Sequence, residues 1–165
     1  MNFPGNEIEN IFSQPNEYNN DISSFCSVLS YIPYFEEIKE SDYIKYHEDQ
    51  TFEYTPEFHS YIRALYDAKL VEEDDEMVLF LKSYNSNCAY NKWIKDMNLV
   101  LGNEELLKIS NLSFLKKAVF SFVRFERVCP GSWGIDVESG NWLLLLRQFE
   151  RIYCDIHKNY KSKEN

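Results

Sequence analysis

Glycine and proline are scarce, with five of each in 165 residues. That scarcity argues against a turn-rich sandwich or barrel and for long, uninterrupted elements. Long apolar runs are missing too. The longest, Trp142-Leu143-Leu144-Leu145-Leu146, falls far short of the ~18 residues that span a bilayer. The first residues, Met1-Asn2-Phe3-Pro4-Gly5-Asn6-Glu7, lack the basic start of a secretory signal. Cys26, Cys88, Cys129 and Cys154 form no C-x-x-C pair, so free, buried thiols are expected in a cytoplasmic protein. His47, His59 and His157 share no metal-ligand spacing, and neither a metal nor any other cofactor is expected. The chain has no glycine-rich phosphate loop, no G-x-S-x-G elbow and no H-E-x-x-H helix. Those absences count against the familiar enzyme classes but not against all catalysis, and the balance leans away from an enzyme.

What is present is aromatic and acidic. Hydrophobic residues make up 44% of the chain, aromatics 16%, and the net charge is -10. The charge is lopsided. Residues 1–60 hold twelve acids against Lys39 and Lys45, whereas residues 61–165 are balanced and the last third is mildly basic. Such a balance disfavours direct binding to nucleic-acid phosphate and favours a partner with a basic surface.

The periodicity predicts an all-α, single-domain bundle of five to seven helices over residues 21–157, with a flexible arm at 1–20 and a frayed tail at 158–165. A helix starts near Asp21, with Ile22, Phe25, Cys26 and Leu29 on one face, and Pro33 bends or ends it. Residues 40–54 read as a loop or a short extended piece. Thr55-Pro56-Glu57 then supplies an N-cap, a proline at the first helical position and an acid in the first turn. Phe58, Tyr61, Ile62, Leu65 and Tyr66 form the stripe of that helix. The acids 72–76 suit the start of a helix over Met77 to Leu81. Residues 83–103 are ambiguous, and Gly102-Asn103-Glu104-Glu105 reads as a stop and a fresh start. Leu112, Leu115, Val119, Phe122 and Val123 mark a long helix at 111–128. Asn141 caps a last one to 157, and the two are expected to pack as a central antiparallel pair.

Glu126 is the conspicuous polar residue. It continues the line Leu115, Val119, Phe122 in steps of four, three and four, so it falls where the core should be. A buried carboxylate must find a partner or protonate. A guanidinium is the expected partner, from Arg147 or Arg151 in a buried ion pair, and the rival is a pocket formed with Arg124, Arg127 and Trp133.

The run Phe114-Leu115-Lys116-Lys117-Ala118 through Arg124-Phe125-Glu126-Arg127-Val128, then Gly131-Ser132-Trp133, Glu138-Ser139-Gly140 and Leu145-Leu146-Arg147, resembles an uncharacterised bacterial family, one of the numbered domains of unknown function. Thr55-Pro56-Glu57-Phe58 through Ile62-Arg63-Ala64-Leu65-Tyr66 is similar to the family's earlier helix. The likeness covers about residues 50–153 and implies a small helical domain with no assigned reaction.

A second set of candidates lies in the first third. Tyr34, Tyr43 and Tyr46 alternate with Glu36, Glu37, Glu48 and Asp49, so either the rings complete the core while the acids stay solvated, or the mixture forms a surface suited to a basic protein partner. The leading expectation is therefore a non-enzymatic interaction or regulatory module of bacterial, phage or prophage origin. An inhibitor of a host nucleic-acid-binding system is one version of it. The rival is a small-ligand or enzymatic pocket at Glu126 and the neighbouring arginines.

Overall fold

The computed structural model describes residues 25–71 and 87–161. The chain is predominantly helical, as its periodicity predicts. In order come α1 (Phe25–Leu29), α2 (Ile32–Glu37), α3 (Glu40–Tyr43), β1 (Ile44–Tyr46), β2 (Phe52–Tyr54) and α4 (Pro56–Asp67). Then follow α5 (Asn87–Leu101), α6 (Glu104–Ile109), α7 (Leu112–Phe125), α8 (Ser132–Glu138) and α9 (Asn141–Lys161). The arm at 1–20, the cap proposed near Asp21 and the acidic run 72–76 with the helix after it lie outside the described residues. No helix among the described residues is long and apolar enough to cross a membrane.

The predicted caps explain where the helices begin. Thr55 Oγ1 accepts the Phe58 N–H, and the same hydroxyl donates to the Asp42 carbonyl. Asn111 Oδ1 accepts the Phe114 N–H to open α7. Asn103 Oδ1 accepts from the N–H groups of Glu105 and Leu106, so the stop at Gly102 and the fresh start are both real. The ambiguous stretch is helical. Within α5, Trp93, Met97 and Val100 are buried at three- and four-residue spacing.

Residues 40–54 form more than a loop. A short helix, α3, leads into an antiparallel hairpin in which Ile44 pairs with Tyr54, Lys45 with Glu53 and Tyr46 with Phe52. The aromatic and β-branched residues that blurred the helical pattern there suit a pleated surface instead. Gly131 lies under this hairpin, and a side chain there would meet the Phe52 ring at 3.7 Å.

Other expectations need correcting. Cys26 is exposed and bonds to the Tyr153 hydroxyl at 3.2 Å, because the buried stripe of α1 runs through Phe25 and Val28. Cys154 is also exposed and Cys129 is half-buried, so none of these three is the sealed thiol expected. Asn141 does not cap the last helix; its Nδ2 donates to Asp136 Oδ1 at 3.0 Å. Helix α9 also continues to Lys161, beyond the predicted start of the tail.

The core is aromatic. Trp142 and Phe58 are fully buried, and the Trp142 ring stands edge-on to Tyr61 and Phe122. Two contacts give the direction of the central pair. Trp142, at the start of α9, meets Phe122 near the end of α7. Gln148, nearly two turns further on, donates to the Ser110 carbonyl just before α7 begins. The two helices therefore run antiparallel.

Candidate functional site

Helix α7 ends at Phe125, and the chain turns through residues 126–131 into α8. Gly131 takes φ +95° at the start of α8, a conformation that suits glycine. That turn folds the first N–H groups of α8 back over Glu126. Its Oε1 accepts the Gly131 N–H at 2.7 Å. Its Oε2 accepts the Tyr54 hydroxyl at 2.9 Å, the Trp133 N–H at 2.9 Å and the Ser132 hydroxyl at 3.1 Å. A carboxylate at a helix N-terminus answers donors that the helix itself leaves unpaired.

The arginine partner expected for Glu126 is not there. Among the described residues no guanidinium lies within ion-pair distance of it. Arg147 bridges Glu36 and Glu150, and Arg151 reaches Gln148 and Asp155. The Arg124 guanidinium lies over the Phe120 ring, 5.3 Å from its centroid, and Arg127 is exposed. Trp133 serves structure: its indole N–H donates to the Phe122 carbonyl, and its carbonyl accepts from Trp142. The pocket built on Arg124, Glu126, Arg127 and Trp133 is therefore not assembled as expected, and Glu126 works as a clamp.

A cavity does open beside that clamp. It measures about 370 Å³ and lies between α5, α7 and α8. Ile94 and Met97 of α5, Phe122 and Phe125 of α7 and Ile135 of α8 supply apolar walls. Ser121, Ser132, Asp136 and Asn98 supply the polar atoms. Phe125 and Ile135, 40% and 61% exposed, stand at the rim with the exposed Asn98. The Trp93 indole N–H donates to Ser121 Oγ at 2.9 Å and ties α5 to α7 across the cavity floor.

Asp136 is the electrostatic oddity of this space. Its carboxyl is pushed up from 3.8 to about 6, chiefly by burial, then by the negative charge of Glu126, while the Asn141 amide pulls it back down. The unfolded chain ionises Asp136 first, so the folded state loses stability as pH rises from about 4 to about 6. Near pH 7 most of the carboxyl is ionised in a poorly solvated place. No signal in the sequence singled it out, since its burial depends on α5 lying across α7 and α8.

The tyrosine and acid candidates separate into two groups. Tyr43 is 3% exposed and donates to Glu138, so it is core and cannot meet a partner in this fold. Its ring approaches the site of the missing Gly134 side chain to 3.3 Å. Burial, and then Glu138, pushes its hydroxyl up to about 12. Tyr34 is half-buried and donates to the Asp42 carbonyl, and Glu36 is engaged by Arg147. Tyr46, at 59% exposed, stays on the surface with Glu37, Glu48 and Asp49. Hydrogen bonds from Thr51 hold the Asp49 carboxyl below its ordinary range.

Comparison with protein-family models, with curated proteins and with solved structures found no significant match. What the site does must be argued from its own geometry.

Proposed function

We propose that the chain is a non-enzymatic binding protein whose ligand is a small, largely apolar molecule held between α5, α7 and α8. The observation that carries this reading is the 370 Å³ cavity with apolar walls and a few convergent polar atoms. Its size and composition are those of ordinary ligand sites. Glu126 contributes at one remove, by fixing Ser132 and the start of α8 against the end of α7. The likeness of residues 50–153 to an uncharacterised bacterial family stands as a proposal of kinship and implies no reaction.

The neutral dye N-phenyl-1-naphthylamine, which brightens in apolar surroundings, tests the reading. Saturable brightening at one equivalent is expected, and Asn98→Trp at the exposed rim should weaken it by about tenfold, or ~1.4 kcal/mol. Dye that does not saturate, or that binds Asn98→Trp equally well, sinks the proposal.

A second reading is favoured by the exposed Tyr46 of the hairpin and the exposed acids Glu37, Glu48 and Asp49. On that reading a basic protein docks on the hairpin end of the molecule, as the acidic first third suggests. Glu37→Lys and Glu48→Lys combined with Tyr46→Ser should then abolish capture of the partner retained by the parent chain. Unchanged capture would refute it.

A further inference from the structure

The polar atoms of the cavity are unlike one another in what they still have to offer. The Ser121 hydroxyl donates to the Lys117 carbonyl and accepts from Trp93, so its proton is spent and one lone pair remains. The Ser132 hydroxyl has spent its proton on Glu126 and retains only lone pairs. Asp136 Oδ1 accepts from Asn141, and among the described residues Oδ2 has no protein partner. Apart from the Asn98 amide at the exposed rim, the described polar groups of the cavity offer acceptors, and a complementary ligand brings donors to them.

Charge narrows the choice further. Among the described residues no Lys, Arg or His lines this space. Glu126 adds its negative charge to the field at Asp136. An anionic ligand would enter a doubly negative, poorly solvated site with no counter-ion among the described lining residues, at considerable cost. A cation would relieve it. Two phenylalanine rings, Phe122 and Phe125, complete the wall, and aromatic faces attract an ammonium group.

We propose that the ligand of this cavity is a small cationic amphiphile: an aromatic or aliphatic body carrying a protonated amine that pairs with Asp136 Oδ2. The proposal rests on the cavity reading above. The apolar body fills the space between Ile94, Met97 and Phe122, while the ammonium group donates to Asp136 and to the lone pairs of Ser132. Desolvation makes such a pair stronger than its surface counterpart, because water competes poorly there.

A matched trio separates this idea from the reading beneath it: 4-phenylbutylamine, 4-phenylbutanol and 4-phenylbutyrate, titrated calorimetrically at pH 7. The amine is expected to bind at least about tenfold more tightly than the alcohol, and the carboxylate most weakly. Asp136→Asn should bring the amine down to the affinity of the alcohol and leave the alcohol unchanged. Asparagine keeps an oxygen for Asn141, and a thermal melt no lower than the parent's excludes unfolding as the cause. An alcohol that binds as well as the amine, or an amine indifferent to Asp136→Asn, overturns the amine assignment and leaves the cavity reading intact. The same holds if the naphthylamine dye binds and none of the trio does. If neither dye nor trio binds, both fall together.

Discussion

Glu126→Gln is expected to lower the unfolding free energy by about 3 kcal/mol. The carboxylate takes four donors: two backbone N–H groups and two hydroxyls. The amide of glutamine has one oxygen and two protons to give. Turned so that its oxygen meets Tyr54, Ser132 and Trp133, it sets its NH2 against the Gly131 N–H, donor against donor. Turned the other way, it opposes the Trp133 N–H. Either orientation leaves a desolvated donor unanswered, and the charge that strengthened the other bonds is gone. Urea unfolding read by tryptophan fluorescence measures the loss. A melting temperature lower by about 9 °C should accompany it in a domain of this size. Tyr54→Phe, which deletes one hydrogen bond to the carboxylate, should cost about 1.5 kcal/mol. Equal stability of Glu126→Gln and the parent would mean that solvent, and not the turn, holds the carboxylate.

The position of this residue was legible in the sequence and its partner was not. Steps of four, three and four from Leu115 do bring Glu126 to the edge of the core. Yet α7 stops one residue earlier, and the donors come from backbone exposed by the Pro130-Gly131 turn. Side-chain chemistry alone suggested an arginine, because backbone N–H groups are uniform along a sequence and only their local geometry makes them a site. Thr55-Pro56-Glu57 was easier. A cap is a local object, and its residues are contiguous.

Tyr43 and Asp136 were harder for the opposite reason. Each owes its burial to an element far away in sequence. Tyr43 reaches the core because Gly134 carries no side chain where the two approach. Asp136 lies beside a cavity that exists only because α5 crosses α7 and α8, and α5 was the stretch that periodicity left ambiguous. Without that helix the sequence marks no cavity, and only the charged neighbours of Glu126 stand out.

Phe58→Ala should prove costlier still, at about 4 kcal/mol. Phe58 is 0% exposed, and among the described residues its ring meets six others. It stacks on Tyr54 at 5.3 Å and stands near Trp133 at 5.8 Å, Tyr61 at 6.0 Å and Phe35 at 6.2 Å. Tyr43 and Trp142 complete the shell at 6.3 and 6.5 Å. Truncation removes both the transfer energy of the ring and the contacts its neighbours lose across the void. Those neighbours belong to α2, α3, β2, α4, α8 and α9, so the void cannot close by shifting a single element. Phe58→Leu, which retains most of the volume, should cost about 1.5 kcal/mol. Urea midpoints for the two variants give the comparison, and near-equal losses would mean that the cluster repacks freely. The clamp and the cluster also share Tyr54 and Trp133, so their effects should not simply add. Combining Glu126→Gln with Phe58→Ala is expected to cost about 1 kcal/mol less than the sum of the two. Each change alone already loosens the same tryptophan, and α8 can be released from α7 only once.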